Sequence, residues 1–101
     1  MNYTENFEGI KIDVQAVDIS IDDDVQQGIR DMITRLRRHI SQVNWVDVYF
    51  KKEASHPVNT RNVSIRFGIP GQDAFATGSG EHWLPVLKEV EEKIRKQLIK
   101  K

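Results

Sequence analysis

The sequence predicts an α+β fold: a two-layer sandwich in which two parallel helices pack on one face of a four-stranded sheet, in the order β-α-β-β-β-α. Two observations predict this fold. Two segments carry apolar residues at helical spacing, and three other segments alternate apolar and polar residues with a period of two and are followed by a short fourth strand. Amphipathic helices and a sheet with one apolar face each need an apolar partner, and packing the helices side by side on the sheet satisfies both.

The four predicted strands differ in length, and the first three show the alternation. They are Ile10–Ala16, Val43–Lys52, Arg61–Ile69 and Asp73–Gly78. Pro70 and Gly71 fit a type II turn between the last two strands, with Gly71 at the position that requires a positive φ. Residues 55–59 are predicted to form a loop, and Gly78-Ser-Gly80 is predicted to end the fourth strand.

The first helix is predicted over residues 22–40, with Asp22 as its N-cap. Gly28 lies inside this helix, where it costs about 1 kcal/mol relative to alanine. The second helix is predicted from Trp83 to about Lys100. Because proline lacks an N–H group, Pro85 must lie in the first turn, which places the N-cap near His82.

The 101 residues have a formal net charge of zero, but the charge is unevenly distributed. Residues 1–24 contain seven acids and one base, so the rest of the chain carries 14 bases and eight acids. We expect residues 1–9 to be a flexible acidic lead-in and residues 10–101 to be a single domain. The chain has no cysteine, no apolar run long enough to span a membrane and no signal-peptide pattern at its start. A cytoplasmic protein without a membrane partner is therefore expected.

Residue spacing gives no support for a catalytic or metal site. His39, His56 and His82 are far apart and lack metal-ligand spacing. The run Asp22-Asp-Asp24 lacks the glycine and distal glutamate of a calcium loop and is interpreted as helix capping. Gly78-Ser-Gly80 is not followed by the residues of a phosphate-binding loop, and Ser79 has no base near it in sequence. The sequence predicts no enzyme, no metal, no cofactor and no small-molecule substrate.

Four segments together resemble a known family. They are Val17–Val25, Val48–Glu53, Ile65–Ala76 and Lys93–Leu98, which lie in the same order and at about the same spacing as in the family. Through them, the span from Lys11 to Lys101 resembles the ribosome hibernation factors, or sigma-54 modulation proteins, in their short form without an extra C-terminal domain. The resemblance implies a fold related to the double-stranded RNA-binding domain and no catalytic activity. It also implies binding to ribosomal RNA of the small subunit in slow growth, which blocks translation and stores ribosomes.

The outward faces of the two predicted helices are the candidate RNA-binding surface. Double-helical RNA is recognised mostly by shape, through phosphates and 2′-hydroxyl groups, which requires a rigid basic surface. Side-by-side helices would present such a surface with their arginine and lysine side chains, although cations on helix exteriors are often simply solvated. The candidate RNA-binding residues are Arg30, Arg35, Arg37, Arg38, Lys88, Lys93, Arg95, Lys96, Lys100 and Lys101.

The other face of the sheet is a second candidate interaction surface, formed by Trp45, Tyr49, Arg66 and Phe75. Aromatic side chains beside arginine on an open sheet stack nucleobases in some proteins, and in others they cover a dimer contact or merely shield the sheet. This leaves an alternative function open. The chain would then be a divergent copy of the fold that does not bind ribosomes and acts as a protein-interaction module or weak homodimer.

Overall fold

The computed structural model describes residues 1–55 and 58–100, without the side chains of residues 54, 55, 58 and 59. The described residues form five strands and two helices. In chain order they are β1 (Asn2–Phe7), β2 (Ile10–Gln15), α1 (Asp23–Leu36), β3 (Trp45–Ser55), β4 (Val58–Gly68), β5 (Ala74–Gly80) and α2 (Trp83–Ile99).

The five strands form one sheet in the order β1-β2-β3-β4-β5. β2 and β3 are parallel and are connected through α1, whereas the other neighbouring pairs are antiparallel. The predicted alternation is confirmed on both faces: Val46 and Val48 of β3 are buried, while Asp47 between them faces away from the core. Within the described residues every buried side chain is hydrophobic, so the core is one apolar layer between sheet and helices.

The two helices lie side by side on this apolar face and run parallel, as predicted. Gly28 of α1 lies against Leu84 and Leu87 near the start of α2, and Arg35, two turns further on, reaches Glu91. A methyl group at Gly28 would lie 3.0 Å and 3.2 Å from the terminal carbons of the two leucines. The glycine therefore lets α2 approach α1 closely, which explains a residue that is unfavourable by helix propensity alone.

The sheet has one strand more than predicted, and it lies in the segment expected to be a flexible lead-in. β1 pairs with β2 so that Tyr3 is opposite Val14 and Phe7 is opposite Ile10. The two strands are joined by Glu8 and Gly9, with φ of 51° and 84°, as a two-residue hairpin turn of type I′ requires. The half-buried rings of Tyr3 and Phe7 pack against the core and hold the strand in place.

The boundaries of other elements also differ from the predictions. β5 continues through Gly78 to Gly80, where the glycines were expected to end the strand. A Cβ atom at Gly78 would lie 3.1 Å from a methyl group of Val90, and one at Gly80 would lie 2.9 Å from a methyl group of Val86. The glycines thus allow α2 to pack tightly on β5 rather than break it.

At its C-terminal end α1 is shorter than predicted: it ends at Leu36 rather than at Ile40, although the half-buried Ile40 still packs against the core. β4 begins at Val58, inside the loop predicted at residues 55–59, of which His56 and Pro57 lie outside the described residues. Gly71 has a φ of +90°, as the predicted turn requires.

Two side chains of α2 cover the outer edge of β5. The Gln97 side-chain amide accepts a hydrogen bond from the Phe75 N–H (3.0 Å) and donates one to the Phe75 carbonyl (2.6 Å). The Lys93 ammonium group donates to the Thr77 carbonyl at 2.8 Å. An uncovered strand edge invites pairing with another chain, so these contacts protect one edge of the sheet.

Replacing Gln97 with alanine is expected to destabilise the protein by about 1 kcal/mol, because two hydrogen bonds to the strand edge are lost. Exchange of the Phe75 amide proton should become faster, which hydrogen-exchange NMR can measure alongside urea unfolding. Lys96→Ala, which changes an exposed position one residue away, is the control and should stay within about 0.5 kcal/mol of the parent. Unchanged exchange at Phe75 would contradict the proposed edge protection.

Candidate nucleic-acid interface

The predicted RNA-binding cations that the structure describes lie on or directly after the two helices, and of these the Lys93 ammonium group is directed to the edge of β5. Because α1 and α2 run parallel, their C-terminal ends lie at the same end of the layer. Arg37 and Arg38 directly follow α1, and Lys100 directly follows α2. The arrangement therefore brings cations that follow both helices to one end of the layer. The last predicted cation, Lys101, lies outside the described residues.

Two of these cations are paired with acids of the N-terminal hairpin. Glu5 of β1 accepts a hydrogen bond from Arg30 Nε at 2.6 Å, which raises the pKa of the guanidinium group. Glu8, in the turn after β1, lies 3.4 Å from Arg37 Nη1. The acidic N-terminal segment thus folds beside α1 and neutralises part of its basic surface.

Three further cations are paired within the helix layer. Arg35 and Glu91 form a bidentate ion pair between the two helices, with distances of 2.8 Å and 2.7 Å, and the hydrogen bond to Glu91 raises the pKa of Arg35. Lys93 lies 3.1 Å from Glu89, in addition to its bond to the Thr77 carbonyl. Arg95 donates to Glu92 from Nε at 2.9 Å.

The remaining four cations are exposed and form no ion pair within the described part of the chain. They are Arg38, Lys88, Lys96 and Lys100. The helical pattern predicted that these cations lie on the helix exteriors, but it did not predict the acids that pair with five of them. The Glu8-Gly9 turn before β2 is a local signal of a hairpin, but Glu5 between Tyr3 and Phe7 interrupts the apolar pattern expected of a strand packed on the core.

The second predicted surface, on the open face of the sheet, also exists. The Trp45 ring lies against Gly68 and occupies the space that a Cβ atom there would need. The Arg66 guanidinium lies over the Phe75 ring, 4.9 Å from its centroid. Tyr49 is 40% exposed and Phe75 is 42% exposed. The face is thus partly covered by its own contacts, but it retains two accessible aromatic side chains.

Acidic side chains lie beside these aromatic residues. The pairing of β2 with β3 places Asp13 opposite Asp47, and β4 places Arg66 on the other side of Asp47. Burial raises the pKa of Asp47, and the charge of Asp13 raises it further, while Arg66 opposes both effects. The carboxylates of Asp13 and Asp47 would repel a phosphate group at this point of the open face.

Two further kinds of feature are absent from the described part of the chain. No group of three or more histidine, aspartate or glutamate side chains is arranged to hold a metal ion. Neither helix combines the length and the apolar character that crossing a membrane would need.

Comparison with known proteins gives consistent matches. The model of the family described as "Sigma 54 modulation protein / S30EA ribosomal protein" matches residues 12–101. A ribosome hibernation promoting factor of Acinetobacter guillouiae is 25% identical over 97 residues, which cover 90% of this chain and 86% of that protein.

Two solved structures share the fold. The N-terminal domain of Thermus thermophilus Protein Y aligns with a TM-score of 0.74 at 11% identity, covering 86% of this chain and 92% of that one. A ribosomal subunit interface protein from Coxiella burnetii aligns with a TM-score of 0.77 at 13% identity, covering 88% and 93% of the two chains. These structures match the α+β architecture found here.

Replacing Asp47 with asparagine is expected to stabilise the protein at pH 7 by about 0.5 kcal/mol, because a charge that the fold disfavours is removed. An aspartate whose pKa is raised by folding lowers stability above that pKa. The penalty disappears as the pH falls through it towards the unfolded value of about 3.9. The gain should therefore shrink towards zero near pH 3, as measured by urea unfolding at both pH values. Asp18→Asn, which removes an exposed acid, is the control, and a gain that does not depend on pH would contradict the argument.

Proposed function

The chain belongs to the sigma 54 modulation protein / S30EA ribosomal protein family, and from this premise we propose that it is a ribosome hibernation factor. It binds the ribosome as a protein without catalytic activity and acts in the cytosol, where ribosomes are found. The similarity to a hibernation promoting factor and the shared fold of a ribosomal subunit interface protein support this proposal.

The proposed partner is ribosomal RNA of the small subunit, and the proposed contact surface is the helix layer. The observation that carries this proposal is the exposure of Lys88 and Lys96 on α2, and of Arg38 and Lys100 just after α1 and α2, in a layer where the two helices pack side by side. Arginine forks and lysine point charges both bind phosphate, and recognition by shape needs a surface that does not deform. By occupying the small subunit in slow growth, the protein would block translation and store inactive ribosomes.

The α1–α2 packing supplies the rigidity that this role needs. The close approach at Gly28 and the shared apolar core fix the two helices relative to each other, and the bidentate pair between Arg35 and Glu91 links them at the surface. Cations on separate helices are therefore held at a constant spacing, so they can match a fixed pattern of phosphates. A surface of this kind discriminates by geometry rather than by base sequence.

Removing two of the exposed cations, in Arg38→Gln/Lys96→Gln, is expected to weaken co-sedimentation with ribosomes. Each phosphate contact contributes about 0.9 to the slope of log affinity against log salt concentration, so the slope should become shallower by roughly 2. Co-sedimentation at salt concentrations from about 50 to about 200 mM measures this slope. Replacing Arg37 instead would be less informative, since Glu8 already neutralises it.

The matched control is Lys11→Gln/Lys51→Gln, which removes the same charge from β2 and β3 on the open sheet face. This control should bind ribosomes with the salt dependence of the parent. If the control loses binding and the helix variant does not, the contact surface is the sheet and the proposed surface is wrong.

The second candidate function is self-association or protein binding through the open sheet face. The exposed rings of Tyr49 and Phe75 favour it. Analytical ultracentrifugation of the protein alone distinguishes the two functions: a concentration-dependent dimer without any ribosome association would favour this second candidate.

A further inference from the structure

β1 is an addition to the part of the chain that the family model matches. The match begins at residue 12, so β1 and the Glu8-Gly9 turn lie outside it. This hairpin nevertheless contacts the proposed RNA-binding surface through two acid–arginine pairs, Glu5–Arg30 and Glu8–Arg37. An acidic strand next to a surface that would bind a polyanion requires an explanation beyond fold stability.

The geometry of β1 fixes the direction of the Glu5 side chain. Glu5 is opposite Ile12, which is buried, so its side chain points to the helix side of the sheet. Tyr3 and Phe7, two residues away on either side, are half-buried and anchor the strand to the core. The carboxylate is thus held against α1 by packing on both sides and does not depend on its ion pair for its position.

The two pairs are weak enough to exchange. The side chains of Arg30 and Glu5 are 27% and 26% exposed, and those of Arg37 and Glu8 are 38% and 60% exposed. Ion pairs with this exposure contribute little net free energy, because water and salt screen them. A phosphate group binds the same guanidinium fork, so RNA and carboxylate compete for one site on each arginine.

We propose that Glu5 and Glu8 are specificity-determining residues that compete with RNA phosphates for Arg30 and Arg37. This inference rests on the proposed function of the helix layer. Because the glutamates occupy Arg30 and Arg37, RNA first contacts the exposed cations, which are Arg38, Lys88, Lys96 and Lys100. RNA then gains Arg30 and Arg37 only by displacing the carboxylates. A polyanion that reaches only one part of the layer is held less tightly than one whose shape spans both helices.

The test compares Glu5→Gln/Glu8→Gln with the parent in binding to a fluorescently labelled RNA duplex of about 20 base pairs, a length slightly above the span of a double-stranded RNA-binding domain. Freeing the arginines should tighten binding by up to about fivefold for each one. The slope of log affinity against log salt concentration should become steeper by roughly 2. Asp18→Asn/Asp47→Asn is the control, because it changes the net charge equally, at an exposed position after β2 and on the open sheet face.

A second pair of variants keeps the test decisive if the first one disturbs β1. Arg30→Gln/Arg37→Gln should reduce binding only slightly in the parent, where the arginines are occupied. The same change should reduce binding strongly in the Glu5→Gln/Glu8→Gln background. This dependence of one double change on the other measures the competition directly. An equal loss in both backgrounds overturns the proposal, and so does an equal gain from the control and the Glu5→Gln/Glu8→Gln variant.

Co-sedimentation with ribosomes separates this inference from the proposed function. If the duplex results are as expected but neither parent nor variant sediments with ribosomes, the competition stands and the ribosomal function fails. If both sediment with ribosomes equally and the duplex affinities do not differ, the function stands and the competition fails. If no form binds duplex or ribosomes at about 50 mM salt, where phosphate contacts are strong, both are overturned.

Discussion

The sheet has a single apolar face, and this constraint determines the position of almost everything else. Within the described residues no polar side chain is buried, so both helices must lie on that face and cover it together. The parallel pairing of β2 with β3 carries α1 across the sheet, and α2 fills the space that remains over β4 and β5. The outward helix surfaces then become one continuous layer, and its charges act as a group because the core below fixes their spacing.

Much of this architecture was predictable because it follows from the periodicity of apolar residues along short segments of the sequence. Alternation in β2, β3 and β4, the helical stripes, and the turn at Gly71 each depend on residues close in sequence. β1 was not predictable in the same way. Its inward positions carry a glutamate between two aromatic residues, a pattern that suggests an exposed segment. The glutamate is partly exposed and pairs with Arg30, which lies 25 residues further along the chain.

The candidate site shows the same division between local and distant information. The sequence placed cations on the helix exteriors, which follows from the apolar stripes opposite them. It gave no sign that Arg35 is paired with Glu91, because 56 residues separate the two. Charge counting treats all cations as equal, whereas the fold divides them into pairs and free groups. Gly28 is another residue that only the tertiary structure explains, because its lack of a side chain makes room for leucines of α2.

The parallel direction of the helices has an electrostatic consequence of its own. Asp23 and Asp24 lie in the first turn of α1, while Arg37, Arg38 and Lys100 lie where the helices end. The two backbone dipoles are aligned, with their negative ends beside these cations, so they stabilise the cations but oppose the dipole of the side-chain charges. Because a helix end carries only about half an elementary charge, the side-chain charges dominate, and a protein without net charge can still carry a dipole moment. Because the net charge of the protein is zero, a distant polyanion would rotate the protein rather than attract it. The protein would then arrive with its basic end facing the polyanion.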